Sequence, residues 1–307
     1  MYKKLPVFNT PILLLIFNRP DYVRAQIDNL RLIAPATLYI AADGPRRNNQ
    51  KDVIECEKAR KMLSLVDWKC ELKTKFADEN LGCKARVSSA IDWFFSEVEK
   101  GVIIEDDCLA DPSFFSYAQE LLERYKDNKQ IMHISGFNPL MHSPFSTSFS
   151  YTVHPLCWGW ATWRRAWNKY DVQMADWLMT KESRFLKDIF SRDASIAYWN
   201  NLFDKMFHKK IDTWDYQWVY TIFKEKGLCI FPKNNLITNV GFDSRATHTK
   251  IPFSPQSRRK TEALDFPLEF PKEIERNHLL DEQIQLQFEE NSLHKIVRGI
   301  KQYFYQH

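Results

Sequence analysis

The densest hydrophobic stretch near the N-terminus is residues 11–17 (PILLLIF), an unbroken apolar run. A run of that length predicts a central parallel strand covered on both faces, and it is far too short to cross a bilayer. Asn18-Arg19-Pro20-Asp21 then opens a helix, with Val23, Ile27 and Leu30 as its apolar stripe. Residues 37–42 (TLYIAA) predict a second strand that ends in the turn signal Asp43-Gly44-Pro45. Residues 72–76 are a third strand candidate. After Asn80-Leu81-Gly82, the residues Val87, Ala90, Ile91, Phe94, Phe95 and Val98 fall on one face of a helix. A short strand at 101–104 (GVII) runs directly into Glu105-Asp106-Asp107. Asp111 and Pro112 then supply an N-cap and a first helical position, ahead of Phe115, Ala118, Leu122 and Tyr125, and 131–135 predicts another strand.

Strand and helix therefore alternate, which predicts an α/β fold with a doubly wound, mainly parallel sheet flanked by helices. Ligands of such sheets bind beyond the carboxyl ends of the strands. Arg19, Asp43 and Glu105–Asp107 each follow a predicted strand, so they are expected to share one crevice. The texture changes after Gly136. Eight of the ten tryptophans lie between 158 and 218, in an α-rich region. Residues 251–271, rich in Pro and charge, read as an extended strap. At 292–304 a helical stripe returns (Leu293, Ile296, Val297, Ile300, Phe304) with His294, Lys295, Arg298 and Lys301 between. The expected division is a catalytic unit at 1–250, with a donor half at about 1–135 and an acceptor half at about 136–250. The strap and C-terminal amphipathic helix would fill 251–307.

Composition narrows the function. With 307 residues and 44% hydrophobic content the chain can build a full core. A net charge of +4 suits small anionic ligands and gives no groove for a nucleic acid, so no nucleic-acid partner is expected. The six cysteines form no CxxC pair, which argues against zinc and for a reduced, cytoplasmic protein. The C-terminal stripe adds two expectations: peripheral contact with the inner face of a membrane, or docking onto the enzyme's own core or a second subunit.

Three consecutive carboxylates after an apolar strand repel one another unless a cation neutralises them. Mg²⁺ or Mn²⁺ does so while keeping positions open for phosphate oxygens. The bland alternative is a solvated loop ahead of the Asp111 helix. At these residues the chain resembles a known family. GVIIEDDCLADPSFFSYAQELL resembles the metal-binding strand–loop–helix of GT-A-fold glycosyltransferases, above all the N-acetylglucosaminyltransferase of N-glycan processing, and of bacterial surface-polysaccharide transferases. PILLLIFNRP, YIAADG, ISGFN, CWGWATWRRAW and TWDYQW follow the same family in order, over about residues 10 to 250.

The resemblance implies a metal-dependent, inverting transfer of a hexose or N-acetylhexosamine from a nucleotide diphosphate sugar, most often UDP-linked. The acceptor would be a saccharide or lipid-linked saccharide. Asp107 would bind Mn²⁺ or Mg²⁺, with Glu105 and Asp106 beside the donor. Asp43 would face the nucleotide base; as a residue it is equally a plain turn aspartate. Arg19 would fork onto a phosphate or nucleotide edge. Asp215 would be the general base, with Asp212 as its substitute, because the family has two adjacent aspartates where this chain has one. By itself Asp215 also reads as a helix cap. Residues 241–248 would form a loop closing on the donor, bringing Arg245 and His248 to the diphosphate. For His248 an ordinary surface position stands against metal ligation. Cys157-Trp158-Gly159-Trp160 suits either stacking on a sugar or a core pair. Two other classes share part of this pattern: a sugar nucleotidyltransferase, though the first turn lacks the glycines such an enzyme needs, and a non-catalytic nucleotide-sugar binding module.

Overall fold

The computed structural model describes residues 8–241 and 259–289. Strands β1 (Ile12–Ile16), β2 (Thr37–Ala42), β3 (Glu71–Phe76) and β4 (Lys100–Glu105) pair in parallel in the order β3-β2-β1-β4. Helices α1 (Pro20–Arg31), α2 (Gln50–Lys61) and α3 (Cys83–Glu97) cross between them. A short strand β5 (Cys108–Ala110) and helix α4 (Pro112–Arg124) follow, then β6 (Ile131–Ser135), β7 (Phe149–Thr152) and β8 (Trp160–Trp163). The region after β8 carries α5 (Arg164–Trp167), α6 (Trp177–Glu182), α7 (Leu186–Ile189), α8 (Asp193–Phe207) and α9 (Asp215–Lys224). Strands β9 (Leu228–Pro232) and β10 (Ile237–Asn239) come next, and α10 covers 278–289.

The main sheet has eight strands in the order β3-β2-β1-β4-β8-β6-β9-β7, with β8 and β7 running against the rest. It is thus the mainly parallel, helix-flanked α/β sheet that the alternation predicts. Strand β1 shows why its run is unbroken. Ile12, Leu14 and Ile16 enter the core under α1 and α4, whereas Leu13 and Leu15 enter a second core with Phe94 and Phe95 of α3. Both faces are covered, so no position is left polar. At the edge, β3 (ELKTKF) is mostly exposed, and its lysines discourage pairing with another chain.

Asp111 caps α4 as its spacing predicts, accepting from the Ser113 amide at 2.9 Å, with Pro112 in the first turn. Helix α2 is not foreshadowed by periodicity, since only Asp52, Cys56 and Ala59 are buried on it. A third core, with Trp177, Trp199, Phe203, Tyr220 and Phe223, lies among α6, α8 and α9. Helix α9 is shared: Trp218 and Ile222 pack toward the sheet, Tyr220 and Phe223 toward this helical core. It therefore ties the helical region to the sheet.

Residues 259–277 run without helix across the surface beside α4 and β7. Leu264 donates its amide to Ser113 Oγ at 3.1 Å, Glu269 donates to Ser148 Oγ at 2.8 Å, and Arg124 lies over the Phe270 ring at 4.0 Å. Asp281 anchors α10 by accepting from Thr152 Oγ1, from the Val153 amide and from Arg276 Nε. No helix among the described residues is long and apolar enough to cross a membrane. The expected helix at 292–304 lies outside the described residues. All six cysteines are free.

Candidate functional site

The acidic run begins where β4 stops. Glu105 is the last residue of the strand, paired with Leu15 of β1, and the Asp106 amide still donates to the Leu15 carbonyl at 3.0 Å. The next two carboxylates are thereby turned toward the end of β1, where Arg19 precedes α1. Arg19 forks across both: Nη1 donates to Asp107 Oδ2 at 2.8 Å and Nη2 to Asp106 Oδ1. A cation at a helix N-terminus opposes the helix dipole. Two aspartates on one guanidinium outweigh that penalty. Burial works against the charge of Arg19, and Asp106 and Asp107 more than offset it, so its pKa is raised. As placed, the guanidinium neutralises the acidic run, and its fork is engaged inward.

Burial, and after it the Asp107 charge, raises the Glu105 carboxyl above the ordinary range, with Arg19 opposing. Burial also raises Asp106 against the pull of Arg19. One oxygen of Asp106, Oδ2, is buried and has no hydrogen-bond partner among the described residues. Asp107 is the more open of the pair, with 13% of its side chain exposed against 1% for Asp106. The chain returns past it after β10. Val240 donates its amide to the Asp107 carbonyl at 2.8 Å, and Tyr22 holds the Val240 carbonyl at 2.9 Å. A Cβ on Gly241 would come within 2.1 Å of Asp107 Oδ2, so a larger residue there would displace the Asp107 carboxylate. The loop carrying Arg245 and His248 lies outside the described residues.

Asp43, at the end of β2, is buried and takes three donors: the Gly44 and Leu81 amides and Asn80 Nδ2, each at 2.9 Å. Burial raises its pKa, while the Leu81 and Gly44 amides oppose the rise. It fastens the loop before α3 to the crevice and keeps acceptor capacity on Oδ2. Arg46 and Arg47, 54% and 84% exposed, pair with Asp52 and Glu79.

From the other half of the chain, Asp215 is the first residue of α9. Its carboxylate does not cap the helix; Oδ1 accepts from Thr213 Oγ1. Its charge is among those that raise Glu105, so the two carboxylates lie within electrostatic reach. Cys83, at the start of α3, marks where the set converges: burial first, then Glu105, Asp215, Asp212 and Asp43, raises its thiol. Asp212 is exposed, and its Oδ2 would lie 3.0 Å from a Cβ added to Gly82.

Sequence reasoning missed what holds Asp215 in place. His133 of β6, wholly buried, stacks on Trp160 (5.0 Å between centroids, 18° between planes), and Trp160 stacks on Trp214 (5.6 Å, 19°). Trp218 donates its indole N–H to His133 Nδ1 at 3.2 Å, and His133 Nε2 lies 3.3 Å from the Leu156 carbonyl. These contacts fix the neutral tautomer with the proton on Nε2. Trp160 is thus a core residue, while Trp158 is half-buried with its ring 4.5 Å from that of Phe137. The only sequence signal for this stack was the density of tryptophan itself.

The donor set is oxygen. Among the described residues no group of three or more His, Cys, Asp or Glu side chains is arranged to hold a metal. A closed structural zinc site is not formed there. The oxygens that could take part in holding a Mg²⁺ or Mn²⁺ are those of Asp107, one of which is engaged by Arg19, and the buried Asp106 Oδ2.

No protein-family model and no curated protein matches the chain. Several solved structures are partly similar. A mannosyltransferase, PcManGT from Pyrobaculum calidifontis in complex with GDP-Man and Mn²⁺, is 13% identical with a TM-score of 0.36, over 51% of this chain and 45% of that one. Mouse xyloside xylosyltransferase 1 in its apo form is 11% identical with a TM-score of 0.34, over 70% and 82%. A UDP-glucose pyrophosphorylase complexed with UDP-glucose is 12% identical with a TM-score of 0.29, over 48% and 64%. The matched part spans less than half of the mannosyltransferase chain.

Proposed function

We propose that the chain is a GT-A-type, metal-dependent, inverting glycosyltransferase that moves a sugar from a nucleotide diphosphate, UDP first among them, to a saccharide acceptor. We assign it to the cytoplasmic assembly of a bacterial surface polysaccharide. One observation supports the reading: the charge of Asp215 lies within electrostatic reach of Glu105, at the strand end that carries the acidic run. Asp106 and Asp107 come with Arg19 from the parallel half, and Asp215 comes from the aromatic half.

In this reading Asp107 holds Mn²⁺ or Mg²⁺, and Asp106, locked by Arg19, fixes the backbone that aims it. When bound, the metal supplies positive charge for the departing diphosphate. Asp43 offers Oδ2 to a ring N–H of the base, and Arg245 and His248 reach the diphosphate. Asp215 accepts the proton of the acceptor hydroxyl as its oxygen bonds to the anomeric carbon. The bond from that carbon to the phosphate oxygen breaks on the opposite side, so configuration inverts. Thr213 occupies Oδ1 of Asp215, which leaves Oδ2 for the acceptor. Three aromatic layers beneath keep that carboxylate from drifting, as positioning requires.

The test is thermal melting with a panel of UDP- and GDP-sugars, with and without Mn²⁺. A true donor at about one hundred times its Kd should stabilise by about 2.7 kcal/mol, and mainly when metal is present. Asp107→Asn should remove the metal-dependent part. Undiminished metal dependence in that variant would exclude Asp107, and a panel without any stabilising sugar would refute the reading.

A further inference from the structure

We propose that α6, α7 and the start of α8 form a docking face for an anionic lipid surface, separate from the crevice. Leu178 and Met179 project from α6 with 53% and 71% exposure. Next to them is a cleft of about 200 Å³, lined by Lys181, Arg184, Lys187, Phe185, Leu186 and Ile196 together with Asn200. Leu178 stands one helical turn before Lys181, so the aliphatic projection and the cationic rim share one side of α6.

The cations are set for an external anion. Lys181 is held in place by Asp204 at 2.6 Å. Arg184, at a positive φ of 58°, and Lys187 are exposed, and neither has an ion-pair partner among the described residues. Glu182 and, at the start of α8, Asp193 are exposed carboxylates that oppose them, and Asp188 faces Lys226 at 3.4 Å. Residues 178–210 carry seven Lys or Arg against four Asp or Glu, so the surrounding surface is basic as well.

An apolar floor inside a ring of cations matches the boundary of an anionic bilayer. Headgroup phosphates would meet Arg184 and Lys187, and Leu178 and Met179 would enter the acyl edge. The proposal does not depend on the catalytic reading.

Co-sedimentation of the full chain with phosphatidylcholine–phosphatidylglycerol vesicles, against pure phosphatidylcholine, tests it. Each cation at such a surface strengthens binding by about fivefold. Arg184→Glu with Lys187→Glu should therefore lower partitioning by about tenfold or more. Leu178→Ser with Met179→Ser should also lower it, at unchanged surface charge. Lys51→Glu with Lys69→Glu, two exposed lysines with no ion-pair partner among the described residues, is the charge-matched control and should bind far better than the Arg184 and Lys187 pair. All of these side chains are solvent-exposed, so melting temperatures should match wild type and confirm folding. Absence of binding by the wild type would overturn the proposal. So would equal loss in the control pair, or complete release by inorganic phosphate, which would mark a soluble-anion site. A Leu178→Ser, Met179→Ser chain that changes only its sedimentation coefficient would reassign the face to a second copy of the protein.

Discussion

Replacing His133 by glutamine should invert the stability order of the variant and the wild type as pH falls, and the size of the effect follows from the structure. Burial lowers the pKa of His133 to about 3. The reason is local: Nδ1 faces the Trp218 N–H and the ring is stacked on Trp160, so a second ring proton would point at a donor. In the unfolded chain a histidine titrates near pKa 6.5 and is charged at about pH 5. The folded pKa is the lower one, so His133 favours folding fully above about pH 6.5 and progressively less as pH falls towards about 3. Between about pH 7.5 and 5 the lost stability is about 2 kcal/mol. Glutamine can still accept from Trp218 and donate to Leu156, but it forfeits the stacking, worth about 0.5–1.5 kcal/mol. Other groups, including the raised Glu105 and Asp106, titrate alike in both proteins, so the difference isolates His133. Urea unfolding of the pair at about pH 7.5 and 5 should show the variant less stable by about 1 kcal/mol, then more stable by about 1 kcal/mol. A gap that stays constant would mean that the histidine is protonated or solvated in the fold, contrary to its two hydrogen bonds.

Asp215→Asn keeps shape but cannot take a proton; turnover should drop by about two to four orders of magnitude with donor binding retained. Single-turnover transfer and calorimetric donor titration separate the two, and near-normal turnover would move the role to Asp212. His154 is wholly buried among Phe190, Trp199, Phe223 and Phe288, and neither ring nitrogen has a partner among the described residues. His154→Phe should therefore stabilise the fold by about 1–3 kcal/mol by removing unpaired buried polar atoms. A lower melting temperature would instead reveal an ordered water bridging that ring.

Local sequence settled what depends on near neighbours. The unbroken run at β1, the end of β2 at Asp43, the stripe of α3 and the Asp111-Pro112 start of α4 are legible because periodicity, capping and turn chemistry act over a few residues. The same reasoning put Arg19, Asp43 and the acidic run at strand ends, since a parallel sheet brings all carboxyl ends to one side. Pairing over long separations was not legible. Arg19 reads as a residue for a phosphate or nucleotide edge, and its partners Asp106 and Asp107 show only once β1 and β4 lie side by side. Strand β8 gives no sign of inserting backwards between β4 and β6, because antiparallel pairing there is chosen by tryptophan packing on both faces. Trp160 could have faced a sugar or the core, and only its closure between His133 and Trp214 decides for the core. Residue types and local order thus set the elements and the candidate chemistry. Tertiary structure decided which charges neutralise one another, because a Coulomb partner or a stacking ring is fixed by distance in space, and distance in space is set by the whole sheet.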